Sequence, residues 1–563
     1  MKFLTIAALV LLCLDATLNA QNHALPLVYP SLSPVSAAPG GSGFTLTVNG
    51  TGFVTGAVLN WNGSARPTTV LSGSSLQASI SSADISHRGT ASITVANPAP
   101  GGGVSNVVYF PVRPRFNAAA FAPEPGISTA TGPIAVGDFN GDGRPDVVVV
   151  ENSGLASTLS YYRGLGDGTL SPAVTTASNF PIEYLITGDF NGDGKLDLFA
   201  GSPGNQGGGI ATGLTFLGNG AGHFMQHQDF SGGGDFPGAT AATGDLNGDG
   251  ILDIVYTSEI GGEYTMFIYL GNGDGSFTRK TSVDIGFTVG ATGIGDFNRD
   301  GKLDLAVQST LNGGGVSIFL GNGDGTFHSP SSFPVSGSPV VADVNGDSNL
   351  DVLTEKSVLL GDGSGGFTVL SANLATTMTL GDFNGDGKLD VAGLEEGNTS
   401  SLELFLGNGD GTFQPSTSFG FPLAQTSEPA LPLADFNRDG LLDLATPGAT
   451  STLVGLQTTL RVSTSAIRFG SHKIGTTSKA QTITLTNVSI TGVSITGIAV
   501  TGTNPGDFPD QNHCGTGLAP GVSCNILVAF KPTGTGARSA SITVSYFGLD
   551  SPQIVTLTGF GFN

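Results

Sequence analysis

The chain has 563 residues, which is too long for one compact core and predicts three or four structural units. Charged residues make up only 12% while glycine occupies 88 positions, so the composition favours short strands and tight turns over long polar helices. The formal charge of −23, with 21 Lys and Arg against 44 Asp and Glu, gives no support to nucleic-acid binding, which requires basic surface stripes.

The first twenty residues have the pattern of a secretory signal peptide. Met1 and Lys2 precede an apolar run over residues 3–14, and small residues then lead to Ala20. The run is too short to span a bilayer, and no later stretch is long and apolar enough to cross one. Cys13 as a lipid-modified cysteine is an alternative, although a small residue is usual in the position before it. We expect residues 1–20 to be removed and the mature chain to be secreted to the extracellular space or the cell surface.

Residues 21–113 are predicted to form an all-β domain. The segments Phe44–Val48 and Ala91–Val95 alternate apolar and polar residues, as half-buried strands do. Together with Gly50–Phe53, these segments resemble an IPT/TIG immunoglobulin-like domain. Trp61, the only tryptophan, is expected to pack inside this β-sandwich; a platform for stacking a sugar is the alternative.

One nine-residue motif occurs seven times within residues 114–460. Its copies start 39 to 56 residues apart, a spacing typical of β-propeller blades. We number the resulting aspartate loops one to seven in chain order. They are Asp138–Asp146, Asp189–Asp197, Asp245–Asp253, Asp296–Asp304, Asp343–Asp351, Asp382–Asp390 and Asp435–Asp443.

Each aspartate loop is predicted to join two strands, and a second motif supplies two more. Loop one stands between the short apolar runs Ile134–Val136 and Val147–Val150. About 20 residues after the start of each of the first six loops comes a glycine turn, best seen in Gly271–Phe277, with an apolar run before it. Four strands in each of seven repeats predict a seven-bladed β-propeller.

The seventh repeat is incomplete, and the sequence before the first repeat supplies what it lacks. The seventh repeat has a third strand over Thr452–Leu456 but no glycine turn and no fourth strand. The segment Arg115–Phe121 is similar to the segments that follow the other turns. We therefore expect it to complete the last blade and close the ring, which removes exposed sheet edges.

The loop pattern D-x-N-x-D-G-x-x-D is typical of a calcium site. Side-chain oxygens at positions 1, 3 and 5, a backbone carbonyl at position 7 and a carboxylate at position 9 suit a hard cation, and glycine at position 6 permits the sharp turn. Plain hairpin turns are the alternative, but three aspartates in each of seven copies would repel one another without a cation. An EF-hand would need Glu at position 12, where the first two copies have Val149 and Ala200. A transition-metal site would need His or Cys, and none of the seven loops contains either residue.

The sequence thus predicts up to seven Ca²⁺ ions, which would offset about 14 of the negative charges. Loop five is expected to be the weakest site because Ser348 replaces the glycine at position 6. The candidate ligands, at positions 1, 3, 5, 7 and 9 of each loop, are Asp138, Asn140, Asp142, Arg144 and Asp146; Asp189, Asn191, Asp193, Lys195 and Asp197; Asp245, Asn247, Asp249, Ile251 and Asp253; Asp296, Asn298, Asp300, Lys302 and Asp304; Asp343, Asn345, Asp347, Asn349 and Asp351; Asp382, Asn384, Asp386, Lys388 and Asp390; and Asp435, Asn437, Asp439, Leu441 and Asp443.

The repeat region resembles the FG-GAP/VCBS repeats of integrin α-subunit propellers and their bacterial relatives, over about Pro114–Leu460. The resemblance implies that the calcium loops lie on one face of the propeller and that ligands bind at loops of the other face. It implies little about function, because the same propeller serves adhesins, lectins and some polysaccharide lyases.

Residues 461–563 are predicted to form a second β-sandwich. The segments Ile467–Gly470 and Ile483–Asn487, with the strand after Cys524, resemble the ASPM/SPD-2/Hydin-type immunoglobulin-like module. In an exported chain, Cys514 and Cys524, ten residues apart, predict a disulfide, whereas a zinc or redox site would need other spacing. The whole chain is therefore predicted to be all-β, a seven-bladed β-propeller flanked by two Ig-like β-sandwich domains.

The sequence favours a binding protein over an enzyme. Among the seven histidines only His223 and His227 are close, and on a strand their spacing does not align the two side chains. No nucleophile elbow, zinc-protease motif or phosphate loop is present. We expect a non-enzymatic extracellular binding or adhesion protein whose partner is a glycan or a protein. A polysaccharide lyase-like carbohydrate-active enzyme and a structural matrix or surface-layer component are the alternatives.

Overall fold

The computed structural model describes residues 24–99, 102–113, 121–123, 132–153, 156–202, 212–231, 241–260, 263–286, 292–309, 311, 315–394, 401–420, 431–447, 452–464, 466–487, 492–519, 521–546 and 551–563. Within these ranges the regular structure is β-strand, apart from short turns of 3₁₀-helix such as Pro505–Asp507. No helix in these ranges has the length and apolar character that crossing a membrane requires. The predicted signal peptide, residues 1–20, lies outside the described residues.

The first domain is a sandwich of two sheets. One sheet has the strand order β1-β2-β6-β5, and the other has the order β4-β3-β7-β8 with β9 also paired to β7. The strands are β1 (Leu27–Ser33), β2 (Phe44–Thr51), β3 (Val58–Trp61), β4 (Ser64–Ala65), β5 (Thr68–Ser72), β6 (Ser75–Ile80), β7 (Gly89–Asn97), β8 (Gly103–Val104) and β9 (Val108–Val112). Alternate residues of β2 and β7 are buried, which is the pattern of strands with one face on a core. Trp61 is buried in that core with its ring 5.2 Å from the ring of Phe110, so the packing role expected for it is confirmed.

Among the described residues, the central region forms seven antiparallel sheets of four strands each, as the repeats predict. In six of them the strands follow chain order, and each aspartate loop connects the first strand to the second. These strands are β11 (Ile134–Gly137), β12 (Asp146–Ser153), β13 (Ala156–Tyr162), β14 (Val174–Ser178), β15 (Tyr184–Gly188), β16 (Asp197–Ser202), β17 (Thr212–Gly218), β18 (Phe224–Ser231), β19 (Ala241–Gly244), β20 (Asp253–Ile260), β21 (Glu263–Gly271), β22 (Phe277–Gly286), β23 (Thr292–Gly295), β24 (Asp304–Ser309), β25 (Gly315–Phe319), β26 (Ser331–Phe333), β27 (Val340–Ala342), β28 (Asp351–Leu353), β29 (Ser357–Gly361), β30 (Phe367–Ser371), β31 (Thr377–Gly381), β32 (Asp390–Leu394), β33 (Ser401–Phe405) and β34 (Thr417–Gly420).

The seventh sheet combines strands from both ends of the repeat region, in the order β10-β37-β36-β35. Its strands are β10 (Phe121–Pro123), β35 (Leu433–Ala434), β36 (Asp443–Pro447) and β37 (Thr452–Gln457). Phe121 lies opposite Gln457 and packs edge-on against the rings of Phe383 and Phe419, with centroids 5.6 and 5.9 Å away. The predicted closing segment thus has the expected role, but its strand starts only at Phe121; residues 115–120 lie outside the described residues.

Apolar clusters lie between neighbouring sheets all round the ring. Val148 of the first sheet belongs to one cluster with Phe216 of the second, and similar clusters link each following pair of sheets. Val147, on the other face of the same strand β12, belongs to a cluster with Val454 of the seventh sheet. Each sheet is therefore buried on both faces, and the seven sheets form a closed β-propeller.

The last domain is again a two-sheet sandwich. Its sheets have the orders β38-β40-β44-β42 and β39-β46-β45-β41-β43, with β39 and β46 parallel. The strands are β38 (Leu460–Val462), β39 (Ala466–Lys473), β40 (Gln481–Asn487), β41 (Val493–Thr501), β42 (Asp510–Asn512), β43 (Gly517–Leu518), β44 (Ser523–Val528), β45 (Gly536–Tyr546) and β46 (Gln553–Phe562). The predicted disulfide between Cys514 and Cys524 is formed, with the two Cα atoms 5.1 Å apart.

Candidate metal loops of the propeller

The aspartate loops turn sharply because two of their positions adopt left-handed backbone conformations. In loop two these are Gly192, with φ of 72°, and Gly194, with φ of 80°. Position 6 is the turn that the sequence predicts, whereas position 4 was not anticipated. Loop five places Ser348 at position 6 with φ of 72°, and loops four and seven place Arg299 and Arg438 at position 4 with φ of 58° and 60°. Left-handed φ costs a residue with a Cβ about 1 kcal/mol, so these three loops carry local strain.

The side chains at positions 1, 3 and 5 turn inward onto the amides of their own loop. In loop two, Asp189 accepts from the backbone N–H of Asp193 at 3.1 Å and of Gly194 at 2.8 Å. Asn191 accepts from the N–H of Asp193 at 2.9 Å, and Asp193 accepts from the N–H of Lys195 at 3.0 Å. The same bonds recur in the other six loops. Each loop therefore brings three oxygen-bearing side chains into one turn.

The aspartate at position 9 ties its loop to the glycine turn of the same sheet. Asp197 is fully buried; its Oδ2 accepts from the N–H of Phe190 at 3.0 Å and its Oδ1 from the N–H of Gly218 at 2.8 Å. All seven position-9 aspartates are fully buried and make the same pair of bonds, with Gln457 supplying the second donor in the seventh sheet. Sequence reasoning missed this structural role, and coordination by position 9 stays a prediction.

Burial raises the pKa of the position-9 carboxyls, and the neighbouring aspartates raise it further. The pKa reaches about 6 for Asp146 and Asp197, about 7 for Asp304, and about 8 for Asp253 and Asp390. Backbone N–H donors oppose the shift without cancelling it. A cation beside these groups would favour their ionised form.

The donor set of the loops fits a hard cation. In the described ranges, no three His, Cys, Asp or Glu side chains are grouped so as to hold a metal unaided. Each loop instead offers two aspartates, an asparagine and backbone carbonyls, which are the oxygen ligands that Ca²⁺ takes. The basic side chain of loop two also contacts one of these ligands: Lys195 Nζ lies 2.8 Å from Oδ2 of Asp193, in an ion pair whose two side chains are both partly exposed to solvent.

Hydrogen bonds link each loop to the next sheet along the ring. The N–H of Gly275, in the glycine turn of the third sheet, donates to the carbonyl of Phe190, at position 2 of loop two, at 3.1 Å. Equivalent bonds run from Gly168 to Phe436, from Gly222 to Phe139, from Gly325 to Leu246 and from Gly365 to Phe297. The glycine turns thus hold neighbouring blades together as well as reversing the chain.

The N-terminal domain contacts the face of the ring that carries the loops. The N–H of Leu25 donates to Oδ2 of Asp245 in loop three at 2.8 Å, and the N–H of Asp296 in loop four donates to the hydroxyl oxygen of Tyr29 at 2.8 Å. Arg113, directly after β9, is buried beside Asp382 in loop six. None of these three contacts was predicted, since nothing in the repeat indicates which loops a neighbouring domain covers.

The histidine pair singled out in the sequence assembles no site. His227 lies on β18 with an exposed side chain, and His223 is exposed in the glycine turn that precedes this strand. The described residues near them provide no reason to assign a reaction to this pair.

Five segments of the chain match the family described as FG-GAP-like repeat: residues 138–200, 189–256, 245–307, 296–354 and 382–446. Together they cover about half of the chain, and each begins at the first aspartate of a loop. The chain belongs to the FG-GAP-like repeat family. All seven loops lie inside the matched segments, with loops five and seven near the ends of the segments 296–354 and 382–446.

Among solved structures, the chain is similar to an ASH/PapD-like domain of human CEP192, with 18% identity over 19% of this chain and 87% of that one and a TM-score of 0.16. It is also similar to an auxiliary nutrient binding protein from Bacteroides ovatus, with 12% identity over 77% and 97% and a TM-score of 0.32. A third is a quinoprotein alcohol dehydrogenase-like protein from Bacteroides thetaiotaomicron, with 13% identity over 68% and 94% and a TM-score of 0.28. No curated protein matches the sequence.

Proposed function

We propose that this FG-GAP-repeat protein is a secreted, calcium-binding β-propeller that acts as an extracellular binding or adhesion protein for a glycan or protein partner. The observation that carries the proposal is the repetition of one oxygen-lined loop at the same place in all seven sheets. In this proposal the flanking sandwiches are IPT/TIG-like and ASPM/SPD-2/Hydin-type domains that serve as spacers or adhesion modules.

The chemistry of the loops supports calcium as the cation. Positions 1, 3 and 5 supply side-chain oxygens within one turn, and position 7 supplies a backbone carbonyl. A bound Ca²⁺ would supply positive charge that offsets the repulsion among the aspartates of each loop. Affinities of extracellular calcium modules are commonly ~10⁻⁴–10⁻³ M, so the ions would be retained in a calcium-rich exterior and lost in chelator.

Three features support secretion. The first twenty residues have the pattern of a signal peptide, and the disulfide between Cys514 and Cys524 is of the kind that persists in oxidising compartments. Calcium loops of modest affinity also suit the exterior better than the low calcium of a cytosol.

The arrangement of the domains supports a partner on the face opposite the loops. Strand β10 starts, and strand β37 ends, on the face that carries the aspartate loops, so both flanking domains join the ring there. The contacts of Leu25, Tyr29 and Arg113 show that the N-terminal domain takes up part of that face. A large partner is therefore expected to contact the other face.

The proposal has two direct tests. Equilibrium dialysis with elemental analysis counts the bound calcium, and we expect several ions per chain at millimolar calcium and none after chelation. Retention of the mature protein on a panel of immobilised polysaccharides and matrix proteins, with and without calcium, tests the binding function. Calcium-dependent retention with no released product supports a binding protein, while product in the supernatant would replace it with a carbohydrate-active enzyme.

A further inference from the structure

Loop six is joined to the next blade differently from the other loops whose bonds are described above. In loops one to four and loop seven the carbonyl at position 2 accepts from the N–H of a glycine turn, but the seventh repeat has no such turn to offer Phe383. Two side chains take its place: Gln457 Nε2 donates to the Phe383 carbonyl, and Arg113 Nη1 donates to it at 3.2 Å.

The Arg113 side chain brings a positive charge into this junction. It is 1% exposed, its Nη1 lies 3.4 Å from Oε1 of Gln457, and its Nη2 lies 3.6 Å from Oδ1 of Asp382. The Nε and Nη2 atoms are buried without a hydrogen-bond partner among the described residues. A guanidinium cannot lose its proton in a protein, so the nearby carboxylates balance its charge: Asp382 and Asp390 of loop six first, then Asp439 of loop seven.

The position of this charge sets loop six apart. In loop two the basic group is Lys195, which is exposed and reaches the outer oxygen of the position-5 aspartate. In loop six the guanidinium is buried and faces the position-1 aspartate, whose Oδ1 also accepts from the loop amides of Gly385 at 2.6 Å and Asp386 at 3.1 Å. Solvent screens the first contact but not the second.

We propose that Arg113 is the resident cation of loop six, and that this loop therefore binds calcium far more weakly than the exposed loops one and two. A divalent ion on the Asp382 carboxylate would lie next to a buried guanidinium, and like charges repel strongly at that depth. The N-terminal domain thus supplies, with the Arg113 side chain, the positive charge that a metal ion would supply in the other loops. This inference rests on the proposed calcium binding of the other loops.

A matched pair of variants tests the inference. Asp193→Asn and Asp386→Asn make the same change at position 5 of loop two and loop six. Bound calcium per chain is measured by equilibrium dialysis at ~10 mM calcium, about tenfold above the weakest Kd common among extracellular sites, so that such sites are nearly full. We expect Asp193→Asn to lose one ion and Asp386→Asn to lose none. Loss of one ion from both variants would overturn the inference and leave the calcium proposal standing, whereas a wild-type protein that binds no calcium would overturn both.

Arg113→Gln gives the converse test, since the amide still offers a donor to the Phe383 carbonyl. We expect one additional calcium ion per chain, or an affinity at loop six raised by at least tenfold, and we expect Asp386→Asn in this background to remove it. Arg66→Gln, which breaks the ion pair with Asp84 elsewhere in the N-terminal domain, is the control and should leave the count unchanged. An unchanged count in Arg113→Gln would overturn the inference; if this variant does not fold, the first pair still decides it.

Discussion

The aspartates at positions 5 and 9 of each loop have different structural roles. In loop four, Asp304 is fully buried and accepts from the N–H of Phe297 at 2.8 Å and of Gly321 at 2.7 Å. Asp300 is exposed and accepts from the N–H of Lys302 at 2.9 Å. Asp304 therefore anchors buried backbone groups, while Asp300 lies at the surface, where Lys302 Nζ is 3.6 Å from its Oδ2.

Substitution by alanine should separate these roles in the absence of metal. Asp304→Ala leaves two buried N–H groups without acceptors and should lower the free energy of unfolding by about 3 kcal/mol or more. Asp300→Ala should change it by less than about 1 kcal/mol, as a surface substitution. Urea unfolding in chelator measures both values, and equal losses would contradict the division of roles.

A left-handed backbone conformation lowers stability at single loop positions that are not glycine. Ser348 has φ of 72° in loop five where the matching position of loop two is Gly194, and a Cβ on Gly194 would meet no other atom within 4 Å. The penalty is therefore one of backbone conformation alone.

Exchanging these residues should move stability in opposite directions. Gly194→Ser should cost about 1 kcal/mol and weaken calcium binding at loop two, while Ser348→Gly should gain up to about 1 kcal/mol, less the added entropy of the unfolded chain. Urea unfolding in chelator and calcium titration check the two variants together. A Ser348→Gly protein no more stable than wild type, with unchanged calcium binding, would mean that Ser348 does not weaken loop five.

At the scale of the elements, the three-residue strand β10, which closes the ring, is important for the packing of the seventh blade. Phe121 of β10 is 3% exposed and contacts Phe383 of loop six as well as Phe419 of β34. Closing the ring therefore depends on an anchor that joins three parts of the chain.

Phe121→Ala should destabilise the propeller by about 3–5 kcal/mol through the loss of this buried ring. Val174→Ala is the matched control, because Val174 lies on the outer strand β14 of the first sheet and is 37% exposed, so its loss should cost under about 1 kcal/mol. Thermal unfolding compares the two, and native-state hydrogen exchange should show faster exchange in β37 of the first variant. A Phe121→Ala protein as stable as the control would mean that β10 is not the strand that holds the ring closed.

The strands of the propeller could be predicted from the sequence because each repeat marks them with the same pattern of turns and apolar runs. An aspartate loop between two apolar runs and a glycine turn between two more gives four strands, and the unequal ends of the repeat region give the closing strand. The contacts between Arg113, Gln457 and Phe383 could not be predicted in this way, since they join residues more than 70 positions apart and follow from a turn that the seventh repeat lacks.

For the molecule as a whole, the candidate ligands could be predicted but their unequal surroundings could not. The motif is the same in every loop, whereas burial depends on which loops the N-terminal domain covers. Asp245 accepts from the N–H of Leu25, 220 residues earlier in the chain, and no local pattern gives a contact of that range.

When metal is removed, the protein should become less stable as pH rises, whereas most proteins become less stable as pH falls into the acid range. The pKa of Asp304 is about 7 and that of Asp253 and Asp390 about 8, against 3.8 in an unfolded chain. Between those limits the folded metal-free protein binds more protons than the unfolded one, so its stability falls as pH rises. In chelator, the Tm should drop by about 5 °C or more between pH 5 and pH 8.

Excess calcium should reduce this drop, because a cation favours the ionised carboxylates that high pH produces. Scanning calorimetry at matched pH values, with calcium and with chelator, measures both curves. A Tm that rises with pH in chelator would contradict the assignment of raised pKa values to the buried aspartates.

The way in which β10 meets β37 has a mechanical consequence. The two strands are antiparallel, and Phe121, where one begins, lies opposite Gln457, where the other ends. A force that pulls the two flanking domains apart therefore acts on one end of this strand pair. It loads the hydrogen bonds between the strands one after another, in the unzipping geometry. Under tension between its terminal domains the ring should open at this seam at low force, well before any blade unravels.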